Sequence, residues 1–232
     1  MTLQGKVALI TGASRGIGRA VAHALAEQGV SLALASRSGD DCGLDGVVAV
    51  RCDVRRRDQV EAAVAAAVER FGRLNILVSN AGVGAYGPVL ELDPEHLEEM
   101  IDVNVKGTIY AVRAALPYLL ESGEADIVTI ASEAGRRGVP YEAVYVGSKF
   151  AQVGFTRSLD HELREHGVRC TNVCPGGVAT DFAIGRGRTE EMTEGMMTPD
   201  DVAETVLFAV TRPRGHRVLT SSYRPMSEPS AG

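Results

Sequence analysis

The sequence has no surplus of positive charge: 24 Lys and Arg stand against 30 Asp and Glu, a formal net charge of −6. Sequence-independent nucleic-acid binding needs a basic surface that displaces counterions, so no nucleic-acid partner is expected. The Arg55-Arg56-Arg57 run reads as a solvated face at a helix start. The chain also lacks any apolar run of the ~18 residues that span a bilayer, and no membrane partner is expected. Its first ten residues, MTLQGKVALI, show no basic start, long apolar stretch or small-residue cleavage site, so no secretory signal is read there. None of the four cysteines, Cys42, Cys52, Cys170 and Cys174, forms a C-x-x-C. Cys170 and Cys174 share a strand face, but strand rise puts them more than ~12 Å apart, beyond the ~7 Å limit for a disulfide. The histidines His23, His96, His161, His166 and His216 have no ligand spacing, and no metal is expected. The expectation is a soluble cytoplasmic protein with free thiols. Hydrophobic residues at 45% and charged residues at 23% exclude disorder as the main state.

What is present is an alternation of short apolar runs and helical patterns. Strands are read at 6–10, 31–35, 47–51, 74–79, 126–131 and 168–174, with a seventh at 217–220. Between them, helices are read at 17–28 with Gly29 as the stop, and from Asp58 as N-cap to Gly72. Others run from Asp93-Pro94 to about Leu120, from Val144 to His166, and from Asp200 to Thr211. This order predicts an α/β fold, a doubly wound parallel sheet of about seven strands with helices on both faces. Only about ten residues, SRSGDDCGLD, join strands two and three, so the helix there is expected to be shortened or missing. No repeat or linker interrupts the chain, and residues 1–232 are read as one domain. Residues 227–232, SEPSAG, read as a frayed tail.

TGASRGIG, Thr11 to Gly18, lies between the first strand and the first helix. Glycines at Gly12, Gly16 and Gly18 permit a tight turn and close approach of a bulky anion, and the helix start offers free N–H groups to a pyrophosphate. Such a turn also occurs without a ligand. The second strand ends in Ala35-Ser36-Arg37-Ser38 with no acid before Asp40, and Arg15 adds a second cation. Two guanidiniums with two hydroxyls suit a phosphate dianion, which favours NADP(H) over NAD(H). Asp40 and Asp41 are the counter-argument if the loop folds an acid back. Tyr145 and Lys149, four apart on a helix, share a face. A nearby ammonium favours the phenolate, so the tyrosine becomes usable as a general acid–base. A surface helical pair is the plain alternative.

At these residues the sequence resembles the short-chain dehydrogenase/reductase family. The likeness runs from about Lys6 to Asp181: TGASRGIG, Asp53 in CDV, Ser79–Gly82 as SNAG, Asn104 in VNVKG, Ser132 in IASEAG, Tyr145-x-x-x-Lys149, and PGGVATD at 175–181. The closest likeness is to 3-oxoacyl-thioester reductases and hydroxy-acid dehydrogenases. The resemblance implies an NADP(H)-dependent oxidoreductase for a small-molecule ketone or secondary alcohol, and a homodimer or homotetramer. It implies a cofactor half at about 1–125 and a catalytic half at about 126–232. Cofactor contacts carried over fall on Gly12, Ser14, Arg15, Gly16, Ile17 and Gly18. They continue at Arg37, Asp53 and Val54, at Asn80, Ala81 and Gly82, and at Pro175, Gly176, Val178 and Thr180. In the family Tyr145 is the acid–base, Ser132 holds the substrate oxygen, Lys149 binds the nicotinamide ribose and Asn104 organises a water relay.

The resemblance implies that residues 182–198 close over substrate, with Gly185, Gly187 and Gly195 as hinges and Met192, Met196 and Met197 as lining; a plain surface loop is the alternative. Tyr86, Tyr141 and Phe182 are read as pocket walls. Two departures stand out. Ser79 replaces an Asn, and the common V-D-G-G ending is missing, which leans away from a fatty-acid-synthesis reductase. A non-catalytic dinucleotide sensor on the same fold is the alternative. The intact Ser132, Tyr145 and Lys149 set argues against it.

Overall fold

The computed structural model describes residues 2–228. Its frame is one seven-stranded parallel sheet in the order β3-β2-β1-β4-β5-β6-β7. The strands are β1 (Val7–Thr11), β2 (Ser31–Ser36), β3 (Val48–Arg51), β4 (Ile76–Ser79), β5 (Ala125–Ile130), β6 (Val168–Pro175) and β7 (Thr220–Tyr223). The helices are α1 (Gly16–Glu27), α2 (Arg57–Phe71), α3 (Pro94–Met100), α4 (Thr108–Glu121), α5 (Ala143–Leu163) and α6 (Pro199–Thr211). Every residue of β1, β4, β5 and β6 is buried, as strands covered on both faces require.

The strand period of two divides the core. Val7 and Leu9 face one way, onto Val64 and Ala67 of α2, Ala111 and Leu119 of α4, and Leu159 of α5. Ala8 and Ile10 face the other way, onto Val21 and Leu25 of α1 and Val202 and Val206 of α6. No helix joins β2 to β3, as expected from the short Gly- and Asp-rich connection. The loop fills the gap itself: Cys42 and Leu44 pack into the α1–α6 face, and the Cys42 thiol donates to the Ala13 carbonyl at 3.2 Å. All four cysteines are free and buried. Strand order reverses between β1 and β4, so the crevice for a ligand opens beyond the carboxyl ends there.

Several local expectations need correction. Asp58 does not cap α2. The N-cap is Arg56 with no side-chain bond, and Asp58 lies inside the first turn, where its charge still suits the helix dipole. Asp93 does cap α3, accepting from the Glu95 N–H at 2.9 Å. The single helix read from residue 94 to about 120 is interrupted by a π-helical turn, Ile101–Gly107, that carries Asn104. Ser132 lies beyond the end of β5 and caps the short 3₁₀ turn Glu133–Gly135, accepting from the Ala134 N–H at 3.1 Å. The seventh strand sits three residues later than read, at Thr220–Tyr223. The start of α6 carries a capping box between Thr198 and Asp201. Among the described residues, no helix is long and apolar enough to cross a membrane.

Candidate active site

A cleft of about 1150 Å³ runs along the carboxyl ends of the strands. Ordinary small-molecule sites span ~300–1,000 Å³, so this one has room for a large ligand and a small one together.

One end gathers groups that could hold an anion. Ser14, Arg15, Gly16 and Ile17 border the cleft. Helix α1 begins at Gly16 with no side-chain cap and no acid in its first turn, so its N–H groups stay available. Gly12, at φ +66°, lies against the next loop: a Cβ there would stand 2.8 Å from Ala81 Cα. Gly18 differs from the expectation. It does not border the cleft, and a Cβ on it would meet the Gly12 carbonyl and stand 2.5 Å from Asn80 Nδ2. Its smallness shapes the turn. Asn80 ties the loops together, donating from Nδ2 to the carbonyls of Thr11 at 2.9 Å and Gly12 at 3.0 Å. Asn80, Ala81 and Gly82 border the cleft, as do Pro175, Gly176, Val178 and Thr180 on the far wall. Ser79, the departure from NNAG, donates to Thr108 Oγ1 at 3.2 Å, away from the cleft.

Beyond β2 the cleft is bordered by Ser36, Arg37 and Ser38. Asp40 and Asp41 do not reach it. Each carboxylate turns back on its own loop, accepting from the Cys42 N–H at 2.7 Å and the Gly43 N–H at 2.9 Å. Arg15 approaches Asp181 only at 3.9 Å, with both side chains largely in water, a weak restraint. Asp53 and Val54 border the same end. Arg55, read from the sequence as part of a solvated face, donates to both Asp53 oxygens, and that bond holds the Asp53 carboxyl below its ordinary range.

At the other end Tyr145, Lys149 and Ser132 come together. Tyr145 is buried, with Ser132 close enough to favour its phenolate. Burial nonetheless pushes the phenol above its ordinary pKa, and Ser132 only partly offsets it. This reverses the expectation that Lys149 would lower it. The Lys149 ammonium is occupied elsewhere: it donates to the Ile130 carbonyl at 3.1 Å and lies 5.7 Å from the tyrosine ring centre. Burial also pulls Lys149 down to about 8. Asn104 is fully buried and outside the cleft lining. Its side chain accepts from the Val83 N–H and donates to the Val83 carbonyl, both at 2.9 Å, and reaches Ser148 at 2.9 Å. It braces the wall beside Lys149 from within the π turn, where such distortions recur at functional sites.

The substrate end corrects one wall residue. Tyr86 and Phe182 border the cleft and pack on Tyr145, with ring centres 5.5 and 5.7 Å away. Tyr141 does not; it stands 68% exposed in a left-handed conformation, its carbonyl accepting from the Gly87 N–H at 2.7 Å. The adjacent Glu142 borders the cleft instead. The 182–198 segment covers this end, contributing Arg188, Met192 and Met196. Met197 packs behind the wall, beside Val178. The segment is pinned through Arg186, whose carbonyl accepts from the Tyr86 N–H at 2.8 Å and whose guanidinium pairs with Glu99 at 2.6 Å.

The expected frayed tail is partly anchored here. Glu228 accepts from the Gly177 N–H at 3.2 Å and pairs with Arg137 at 2.5 Å, while Ser227 donates to the Gly195 carbonyl. The remainder of that tail, residues 229–232, lies outside the described residues. Among the described residues, no cluster of three His, Cys, Asp or Glu side chains could hold a metal.

Burial raises the Glu142 carboxyl from 4.5 to about 7. The folded state therefore holds a proton that the unfolded chain gives up. Stability falls as pH climbs from about 4.5 to about 7 and stays lowered above it. Glu142→Gln removes that penalty. Its melting temperature is expected to match the wild type at pH 4 and to exceed it by a few °C at pH 8. A difference independent of pH in thermal melts would contradict this.

The comparisons with known proteins agree with the architecture. The family model for short chain dehydrogenase matches residues 6–191. An uncharacterised oxidoreductase of Staphylococcus aureus is 33% identical over 231 residues, 97% of this chain and 99% of that one. An alcohol dehydrogenase from Thermococcus sibiricus, complexed with 5-hydroxy-NADP, superposes with a TM-score of 0.86 at 33% identity, covering 97% of this chain and 98% of its own. A 3-ketoacyl-(acyl-carrier-protein) reductase from Brucella melitensis, complexed with NADH, gives 0.88 at 29% identity, covering 96% and 98%.

Proposed function

The chain belongs to the short-chain dehydrogenase family, and we propose that it is an NADP(H)-dependent reductase of small-molecule ketones, reversible as a secondary-alcohol dehydrogenase. The observation that carries this reading is the meeting of Ser132, Tyr145 and Lys149 in one cleft, with Ser132 close enough to act on the phenol and Lys149 5.7 Å from its ring centre. The residues fit a dinucleotide. Gly12 lies where a side chain would strike the neighbouring loop, and the uncapped start of α1 would take the pyrophosphate. Arg15, Arg37, Ser36 and Ser38 would hold a 2′-phosphate, the Asp53 wall the adenine, and Lys149 the nicotinamide ribose.

The bound nicotinamide supplies or accepts the hydride. The protein's own task is to orient the carbonyl and manage a proton. Ser132 donates to the substrate oxygen and polarises it. Tyr145, protonated because burial disfavours its phenolate, delivers the proton to that oxygen. The Lys149 ammonium stabilises the negative charge then left on the tyrosine. Tyr86, Phe182 and the methionines exclude water. Assembly as a homodimer or homotetramer through α4 and α5 belongs to the same proposal, and Phe150 stands 46% exposed on α5.

The test is oxidation of NADPH and of NADH against a panel of ketones and 3-oxoacyl thioesters. Turnover with NADPH is the expected result. Tight NADPH binding with no turnover on any carbonyl would overturn it in favour of the sensor.

A further inference from the structure

The substrate end contains a cation with no acidic partner. Arg188 borders the cleft, yet no carboxylate among the described residues lies within ion-pair distance of it. Its hydrogen bonds go to the Phe182 carbonyl, at 3.3 Å, and to the thioether of Met196, a poor acceptor. The other guanidinium at this end, Arg137, is already taken by Glu228 at 2.5 Å. Arg188 is thus a half-buried charge with donors to spare, facing Tyr86 and Tyr145 closely enough to act on both electrostatically.

We propose that Arg188 is the specificity-determining residue of this site and binds a carboxylate, so that the substrate is an oxo acid and the product a hydroxy acid. The inference rests on the reductase reading. A guanidinium presents parallel N–H donors that match a carboxylate in a bidentate pair. The Phe182 carbonyl and Met196 position the side chain and leave its charge uncompensated. Glu142 and Tyr86 face the guanidinium across the cleft, with Arg137, Glu133 and Glu228 beyond them. Glu142 is an acid on which Arg188 acts, and burial keeps part of it protonated near neutrality; Glu194, on the same segment as Arg188, also borders the cleft. The carbonyl to be reduced would lie at Ser132 and Tyr145, with the carboxylate held at the 182–198 segment. Reduction then balances simply: the carbonyl carbon would gain the hydride that a bound NADPH supplies, its oxygen would gain the Tyr145 proton, and the carboxylate would be unchanged.

The experiment compares kcat/KM for 2-oxo, 3-oxo and 4-oxo acids with that for their methyl esters, in wild type, Arg188→Gln and Arg188→Lys. One acid is expected to exceed its ester, and the acid-to-ester ratio should fall about 10- to 100-fold in the Gln variant and recover partly in the Lys variant. Calorimetric titration of the NADP⁺-loaded protein with hexanoate and hexanamide supplies a readout without turnover. Hexanoate should bind the wild type tighter than hexanamide, and that preference should vanish in Arg188→Gln. Thermal melts report whether each variant is folded. A wild type that prefers esters, or a ratio unmoved by Arg188→Gln, overturns the inference while leaving a reductase. No turnover on any carbonyl with hexanoate preference intact overturns the reductase reading and leaves Arg188 as the anion anchor.

Discussion

Tyr145→Phe is expected to lower kcat for carbonyl reduction by about 10²- to 10⁴-fold, the range that a positioned proton donor contributes. The ring itself would be retained, along with its packing against Tyr86 and Phe182 at 5.5 and 5.7 Å, so thermal melts should show a folded protein. Only the hydroxyl, which faces Ser132, is removed. The raised pKa fits this role in the reducing direction. The phenol must start protonated, and burial ensures that it does. The difficulty moves to the moment after transfer, when a buried phenolate needs a counter-charge. Lys149, itself buried and lowered to about 8, and Arg188 are the nearby cations able to supply it. The measurement is single-turnover NADPH oxidation, in which product release does not mask chemistry. A variant within threefold of wild type would remove Tyr145 as the proton donor and leave Ser132 or water in that role.

The order of strands and helices was legible because each buried strand is a short apolar run and each helix an apolar stripe, patterns that tertiary packing reinforces. The missing helix between β2 and β3 followed from chain length alone. The π turn at Asn104 did not. The extra residue per turn has no cue in local propensity, and the Asn104 side chain in that turn bonds to Val83, 21 residues away. Tyr141 and Glu142 show a second limit. Adjacent residues in a loop exchange wall and solvent with one left-handed dihedral, φ 64° at Tyr141, and no local rule fixes which faces inward. Glu228 shows a third: a polar ending read as frayed because its partners, Arg137 and the Gly177 amide, lie 91 and 51 residues away in sequence. The pairing of Tyr145 and Lys149 on one helix face was readable, but the balance between burial and charge at the phenol depended on Lys149 finding the Ile130 carbonyl.

Replacing Arg15 and Arg37 together by Ala is expected to lower kcat/KM for NADPH by about 10²- to 10³-fold and to leave that for NADH within a few-fold. Each guanidinium–phosphate contact contributes about 1.5–3 kcal/mol, a factor of about 10 to 100. The two share one phosphate, so their effects should combine to less than the full product. The preference depends on which charges reach the cleft. Arg15, Arg37, Ser36 and Ser38 border it, whereas Asp40 and Asp41 spend their carboxylates on the Cys42 and Gly43 amides. An acid at the end of β2 would bind a ribose 2′-hydroxyl and repel a 2′-phosphate, and here no acid is presented. Arg37 is exposed and its side chain makes no ion pair among the described residues, so little local rearrangement should follow its removal. The related structures carry both cofactors, 5-hydroxy-NADP in one and NADH in another, so fold alone does not choose between them. Initial rates with each cofactor at a fixed ketone, in wild type and in the double variant, make the choice. An equal fall with both cofactors would mean that the arginines shape the loop rather than read the phosphate. A wild type faster with NADH would place the 2′-hydroxyl, not a phosphate, between Arg15 and Arg37.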